Sequence, residues 1–478
     1  MRDKKIRKIL VANRGEIARR IMRTCRKLDI RTVAIYSEAD RYSPHVREAD
    51  EAYLVGPAKA QESYLNSGKI IEIARACAAD AIHPGYGFLS ENATFAELAE
   101  ANQITFIGPT PHAIRVMGNK ITAKQAVIPF DVPLIRGSDH AMADQKEGKD
   151  LAQTIGYPVL IKAAAGGGGK GMRIVEKAED FDSQFERAVS EARAAFGDGS
   201  VFIEKFVQNP KHIEVQILAD IHGHTIHLGE RECSIQRRHQ KVVEESPSPV
   251  VDDVLRQRLG EAAVQVAKAC LYRGAGTVEF IYDGHDRFYF LEMNTRLQVE
   301  HPVTECVTGL DLVAWQIKIA EGAPLTVLQQ DVKQRGHAIE FRVYAEDPFN
   351  QFLPNHGVLS TYTLPHGPGI RVDDAYVQGS EVGLFYDPMI AKLIAYGDDR
   401  QDAIEKLKKA VADYHITGVT TTLSFAPFLL NHPLFLSGNF NTQFIQDHFQ
   451  DQPSLPPWMA YAAAWIYDRE VQKLRIPG

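Results

Sequence analysis

Between residues 6 and 109 the chain alternates short apolar runs with amphipathic stretches: "IRKILVAN", the turn "RGE", "IARRIMRTCRKLD", "RTVAIYS", then "ADAIHPGYG" and "ITFIGP". Repeated strand period followed by helix period restricts the fold to the α/β class with a doubly wound parallel sheet. Glu38 closes the second strand as in a nucleotide-binding half-fold, yet the first turn is Asn13-Arg14-Gly15-Glu16. The G-x-G-x-x-G dinucleotide fingerprint is therefore missing. We assign this unit residues 1–117.

Residues 118–134, which include Pro129, read as a linker, and the polar run "RGSDHAMADQKEGKD" follows. A small unit over 135–207 contains "YPVLIKA", a glycine run, "RIVEK", a helical stretch and "VFIEKFV". Residues 208–450 form the largest unit, rich in short strands and of α+β character, and 451–478 form a helical-looking tail. A length of 478 residues fits roughly three domains with real cores. The net charge of -7 excludes a general nucleic-acid binder. No run approaches ~18 apolar residues, and the basic N-terminus has too short an apolar core for a signal peptide, so a soluble, cytoplasmic protein without membrane contact is expected. The five cysteines are odd in number and widely spaced, which indicates neither a disulfide framework nor a zinc knuckle.

The run "AAGGGGKGM" satisfies G-x-G-x-x-G through Gly166, Gly168 and Gly171, but both familiar readings fail. A Walker A loop needs glycine at Ala164 and Ser or Thr at Gly171; a protein kinase needs H-R-D and D-F-G, and neither occurs. What remains is either a mobile linker or a glycine hairpin whose bare N–H groups close over phosphates. Lys162, on the strand just before it, favours phosphate, because a polyphosphate is served by a cation on a rigid element.

The segments "TVEFIYD" and "FYFLEMN" flank "GHDR", a loop suited to a hairpin. Pairing Asp283 with Phe288 sets Glu279 opposite Glu292. Like charges directly across a strand pair are destabilising, and a cation resolves the conflict. With Asn294 two residues on, the hairpin offers two carboxylates and an amide oxygen, hard ligands suited to magnesium; glutamates capped by arginines are the alternative. In "FLEMNTRLQVEHP" the residues Glu292, Asn294, Arg296, Gln298 and Glu300 alternate, and share one face while the chain stays extended. Arg296 offers a planar fork for a small oxyanion, Gln298 a hydrogen bond and Glu300 a general base. The basic run "IQRRHQKVVEE", with Arg237, Arg238, His239 and Lys241, is read as facing an anion, and "HPGYG" as a conformationally demanding turn.

Taken in order, "ANRGEIA", "AIHPGYGFLSEN", "FIGP", "MGNK", "GGGGKGMR", "ERECSIQRRHQKVVEESP", "GAGTVEF", "FLEMNTRLQVEHPVTE" and "FYDPMIAKL" resemble the biotin carboxylase family, the ATP-grasp component of biotin-dependent carboxylases. The resemblance implies an ATP-grasp fold of three parts: the doubly wound domain, a small lid carrying the glycine loop, and a C-terminal mixed α/β domain. It implies that Lys120 and Lys162 contact ATP phosphates under a loop that includes Gly167, Gly168 and Gly169. Glu204, Lys205 and Val207 lie on the adenine side, with His212, Gln236 and His239 nearby. Glu279, Glu292 and Asn294 hold Mg2+ or Mn2+. Lys241, Arg296, Gln298 and Val299, the last through its backbone, form the bicarbonate pocket; Glu300 deprotonates bicarbonate; Arg342 steadies the biotin enolate. The implied reaction is ATP-dependent carboxylation of biotin through carboxyphosphate. Pro129 departs from the family pattern, so the helix after Lys120 is expected to end a turn early.

A different ATP-grasp ligase, joining a carboxylate to an amine, would share the loop and hairpin but has no reason for "RLQVEH" beside "QRRHQK". A regulatory ATP-binding subunit has no reason for the full set of catalytic side chains. None of the eight methionines precedes a lysine, so no Met-Lys-Met biotinylation site is present. Biotin is expected on a separate biotin carboxyl carrier protein, with a carboxyltransferase subunit as second partner and a homodimer as the assembly. Acetyl-CoA, propionyl-CoA and pyruvate all remain open as final acceptors.

Overall fold

The computed structural model describes residues 5–138, 140–142, 144–163, 172–238, 240–449 and 465. The glycine loop, His239 and the tail apart from Trp465 lie outside the described residues. In the first unit, strands β1 (Lys8–Val11), β2 (Arg31–Ser37), β3 (Glu51–Gly56), β4 (Ala81–His83) and β5 (Thr105–Phe106) form a parallel sheet in the order β3-β2-β1-β4-β5. Successive strand side chains face opposite ways, which is why β1 serves two cores: Ile9 and Val11 pack with helix α1 (Gly15–Lys27), Leu10 with Ile70, Phe95 and Phe106. The expected doubly wound α/β arrangement is what forms. The "HPGYG" turn is as demanding as its composition suggests, with positive φ at Gly85, Gly87 and Phe88.

The helix Lys120–Val127 stops before Pro129 and passes into a 3-10 turn, Ile128–Phe130, as the missing N–H and the ring of Pro129 require. Next comes a three-stranded antiparallel sheet of β6 (Val159–Ala163), β7 (Arg173–Val175) and β8 (Val201–Lys205), in the order β7-β6-β8. Helices Gln145–Ile155 and Phe181–Phe196 cover it, and Ala152, Val159, Ile161, Phe181 and Ile203 fill the space between.

The remainder is organised by an eight-stranded antiparallel sheet. Its first six strands are β9 (Lys211–Ala219), β10 (Thr225–Arg237), β11 (Gln240–Ser246), β12 (Gly274–Tyr282), β13 (Phe288–Asn294) and β14 (His337–Tyr344). The order is β13-β12-β9-β10-β11-β14, then Met389–Gly397 and Ile370–Asp374. On β9, Ile213, Val215 and Ile217 pack against the helix Asp253–Ala269, so His212, Glu214 and Gln216 take the opposite face. That face carries the site.

Two expectations need correction. Glu279 does pair with Glu292, but the register shifts just beyond, so that Phe280 opposes Phe290 and Tyr282 opposes Phe288. One extra residue in β13 forms a bulge, and Asp283 pairs not with Phe288 but with Arg287, donating its N–H to that carbonyl at 3.0 Å. The Asp283 carboxylate closes the turn by accepting from the backbone N–H of His285. Nor does the alternation from Glu292 to Glu300 lie on one strand. β13 ends at Asn294, and Pro302 sits in the first turn of the helix His301–Thr308, for which Glu300 is the N-terminal flanking residue. Only Glu292 and Asn294 share a strand face; Arg296, Gln298 and Glu300 arrive by way of a turn.

Candidate active site

The sheet lines up four charged residues across neighbouring strands: Arg231 on β10 opposes Glu214 on β9, which opposes Glu279 on β12, which opposes Glu292 on β13. Three adjacent carboxylates on one face need cations. Arg231, wholly buried, uses all five of its N–H groups: Nε to Glu214 (2.5 Å), the others to Gln216 Oε1 (2.8 Å), Thr304 Oγ1 (3.0 Å), Thr277 Oγ1 (3.0 Å) and Gln298 Oε1 (2.8 Å). Lys241, on β11 beside Gln236, reaches over the row. Its ammonium contacts Glu214, Glu279 at 3.0 Å and Glu300 at 2.7 Å.

These contacts set the ionisation of the site. Burial pushes Glu300 upward, but Lys241, Arg342 and Arg231 outweigh it and hold its carboxyl well below the ordinary range. Glu279 is likewise held low against burial, by Lys241 and His212, whose Nε2 lies 3.1 Å from Glu279 Oε2. Glu292 moves the other way, raised by burial and by the Glu279 charge. Two facing carboxylates thus titrate apart, the pattern expected where a cation belongs. Asn294 donates from Nδ2 to Glu279 (2.8 Å), and its Oδ1 accepts from Arg296 (2.8 Å). Glu279, Glu292 and Asn294 Oδ1 are hard oxygen donors carried by one strand pair, the donor type that suits Mg2+ or Mn2+.

The turn after β13 brings the remaining residues together. Gln298 is locked at both ends, accepting from Arg231 and donating to Glu279 at 2.9 Å. Arg296 is held at Nε by Glu91 (2.7 Å), and among the described residues its NH1 has a 3.3 Å bond to the Leu297 carbonyl. The Val299 carbonyl accepts from Lys392 at 2.9 Å. Arg342, on β14, donates to Glu300 (2.9 Å) and Glu244 (2.6 Å). Glu244 is pushed up to about 7 by burial, against the pull of Arg342.

Beside the strand pair, which contributes Ile281 and Leu291, lies a cavity of about 790 Å3, lined also by Lys162, Glu204, Lys205, Val207, His212 and Gln236. Burial and the charge of Lys162 hold the Lys120 ammonium below its ordinary range. Lys120 and Glu292 line a smaller adjoining recess. Glu204 forms ion pairs with both Lys162 and Lys124. The Lys205 ammonium binds the carbonyls of Gly156 (2.9 Å) and Tyr157 (3.0 Å). Gln236 Nε2 approaches His212 Nδ1 at 3.1 Å. Gly167, Gly168, Gly169 and His239 lie outside the described residues. Sequence reasoning missed Glu214, Arg231, Glu91, Glu244 and Lys392. The polar alternation of "HIEVQ" was the available signal for Glu214, the same kind of signal used for Glu292.

Comparison with known proteins gives a consistent picture. Family models match residues 5–114 (biotin carboxylase, N-terminal domain), 119–328 (carbamoyl-phosphate synthase L chain, ATP binding domain) and 340–447 (biotin carboxylase C-terminal domain). The chain is 54% identical over 444 residues to a biotin carboxylase of Halalkalibacterium halodurans, covering 93% of this chain and 98% of that protein. It is 51% identical to the human mitochondrial propionyl-CoA carboxylase alpha chain, over 94% of this chain and 62% of that one. Among solved structures, a biotin carboxylase–beta-gamma-ATP complex from Campylobacter jejuni aligns with a TM-score of 0.89 at 47% identity, covering 93% and 99% of the two chains. The biotin carboxylase domain of Hydrogenobacter thermophilus 2-oxoglutarate carboxylase, solved as a dimer with MgADP, ADP and bicarbonate, aligns at 0.88 with 46% identity, covering 93% and 98%.

Proposed function

The chain belongs to the biotin carboxylase family, and from that premise we propose that the site described above carboxylates biotin with bicarbonate at the expense of ATP. The observation that carries this reading is the junction of two half-sites at one strand pair. Glu292 lines the recess that shares Lys162 and Glu204 with the nucleotide-sized cavity, and Glu279, paired with it across the strands, accepts from Gln298 in the turn that holds Arg296 and Glu300. A phosphate donor and a small oxyanion can therefore meet without either crossing the protein.

Bicarbonate is a weak electrophile, so activation by phosphoryl transfer to carboxyphosphate comes first. The anion is oriented by Arg296 and the turn at Val299, and Glu300, ionised at neutral pH, accepts its proton. Lys120 and Lys162 offset phosphate charge, with Lys162 exchanging Glu204 for phosphate. Glu279, Glu292 and Asn294 would hold Mg2+, which supplies positive charge at the phosphates. Carboxyphosphate then yields carbon dioxide and phosphate; the phosphate takes the ureido proton of biotin, and Arg342 offsets the charge on the enolate as it captures the carbon dioxide. Residues 135–207 act as the lid. A carrier protein bears the biotin, a carboxyltransferase consumes the product, and the chain works as a homodimer in the cytoplasm. The test is steady-state ATP hydrolysis: it should depend on bicarbonate and rise with free biotin. Hydrolysis indifferent to bicarbonate would instead favour an ATP-grasp ligase that joins a carboxylate to an amine.

A further inference from the structure

Lys392 lies on the strand Met389–Gly397, opposite Arg342 on one side and Asp373 on the other, and none of it is exposed to solvent. Taking an ammonium fully out of water is costly unless it is paired and hydrogen-bonded, so its partners identify its purpose. Nζ donates to the Val299 carbonyl at 2.9 Å and lies 3.1 Å from Glu16 Oε2. Glu16 comes from the first turn of α1 and accepts, on its other oxygen, from the Tyr86 hydroxyl of the "HPGYG" turn. Two further carboxylates feel the Lys392 charge, Asp373 and Glu340. Asp373 is held by Arg371 and Arg23, and among the described residues the Glu340 oxygens have no hydrogen-bond partner.

The Val299 carbonyl lies beyond the end of β13 and before the helix that starts at His301, so neither the sheet ladder nor the helix fixes its direction. Lys392 does. The carbonyl shares its peptide plane with the N–H of Glu300, whose carboxylate is gripped at its tip by Lys241 and Arg342. We propose that Lys392 is a positioning residue for bicarbonate: by fixing the peptide between Val299 and Glu300 it sets the approach of the general base to the anion, and Glu16 holds the ammonium in place. The proposal rests on the reading of the 296–300 turn as the bicarbonate pocket.

Lys392→Met keeps the length of the side chain and removes its donor, and Glu16→Gln keeps the shape of its partner and removes the charge. Both, with Arg296→Ala as the pocket control, are assayed for ATP hydrolysis under separate titrations of bicarbonate and ATP. For Lys392→Met, kcat/KM for bicarbonate should fall about 10- to 100-fold while KM for ATP stays within about twofold. Glu16→Gln should show the same selectivity at about threefold or more, and keeps the proposal testable should Lys392→Met fail to fold. A purely structural lysine would lower folded yield or affect both substrates alike. If neither variant is selective for bicarbonate while Arg296→Ala is, the positioning role is refuted. If Arg296→Ala is also unselective, the pocket reading falls and the proposal with it.

Discussion

Glu300 is held as a carboxylate by Lys241 at 2.7 Å and Arg342 at 2.9 Å, which makes it ready but weakly basic until phosphoryl transfer draws the bicarbonate proton away. Glu300→Gln preserves the shape and both contacts in part, so ATP should bind near normally while turnover falls by ~10²-fold or more. Unchanged turnover would remove Glu300 from the chemistry. Glu292, raised by burial and by Glu279, is the carboxylate that a divalent cation would relieve. Glu292→Gln should raise the Mg2+ concentration for half-maximal hydrolysis by about tenfold, and a Mg2+ titration that overlays on the wild type would exclude it as a ligand. The chemical types of these residues were legible in the sequence because carboxylates at alternate positions near an apolar strand have few structural reasons to exist. Arg231 was not, since its five bonds come from four separate segments and a lone arginine in "GERECS" gives no local sign of them.

At the scale of the strand, β10 carries a further buried acid. Glu232 is pushed up to about 7 by burial, against the attraction of Lys211 and bonds from Ser234 and Ser248. The native state thus keeps a proton that the unfolded chain releases above its ordinary value near 4.5, and stability should fall as pH rises from there to about 7, then level off. Glu232→Gln abolishes that loss, so its stability relative to the wild type should improve by up to about 3 kcal/mol between pH 5 and pH 8 in urea unfolding. A difference independent of pH would show that Glu232 is ionised in the fold. The hairpin β12–β13 shows where element-level reading stops. The like-charge pair of Glu279 and Glu292 was found from loop length alone, yet a bulge at the adjacent Leu291 changes every pair from there to the turn. A bulge is set by packing and by turns such as the one at Asp283, which strand periodicity does not encode.

For the whole molecule, the parallel sheet domain and the eight-stranded sheet are welded by a shared apolar core, in which Ile17 and Ile21 of α1 meet Leu218, Leu228 and Trp315. The site sits beside that joint, with Glu91 and Glu16 reaching in from the first domain. Strand-helix alternation made the first domain readable, and the motifs made the second readable. The cross-strand order that aligns Arg231, Glu214, Glu279 and Glu292 was not readable, because it joins strands distant in sequence. If biotin arrives on a separate carrier, docking should make carrier-bound biotin a far better substrate than free biotin, measured as kcat/KM; equal values would refute a docking contribution. The most direct test of the whole account follows carbon from labelled bicarbonate. With ATP and Mg2+ the purified chain should place the label on biotin in proportion to the ADP formed, and should do so hardly at all as Glu300→Gln; ADP formed at the wild-type rate with no label on biotin would contradict it.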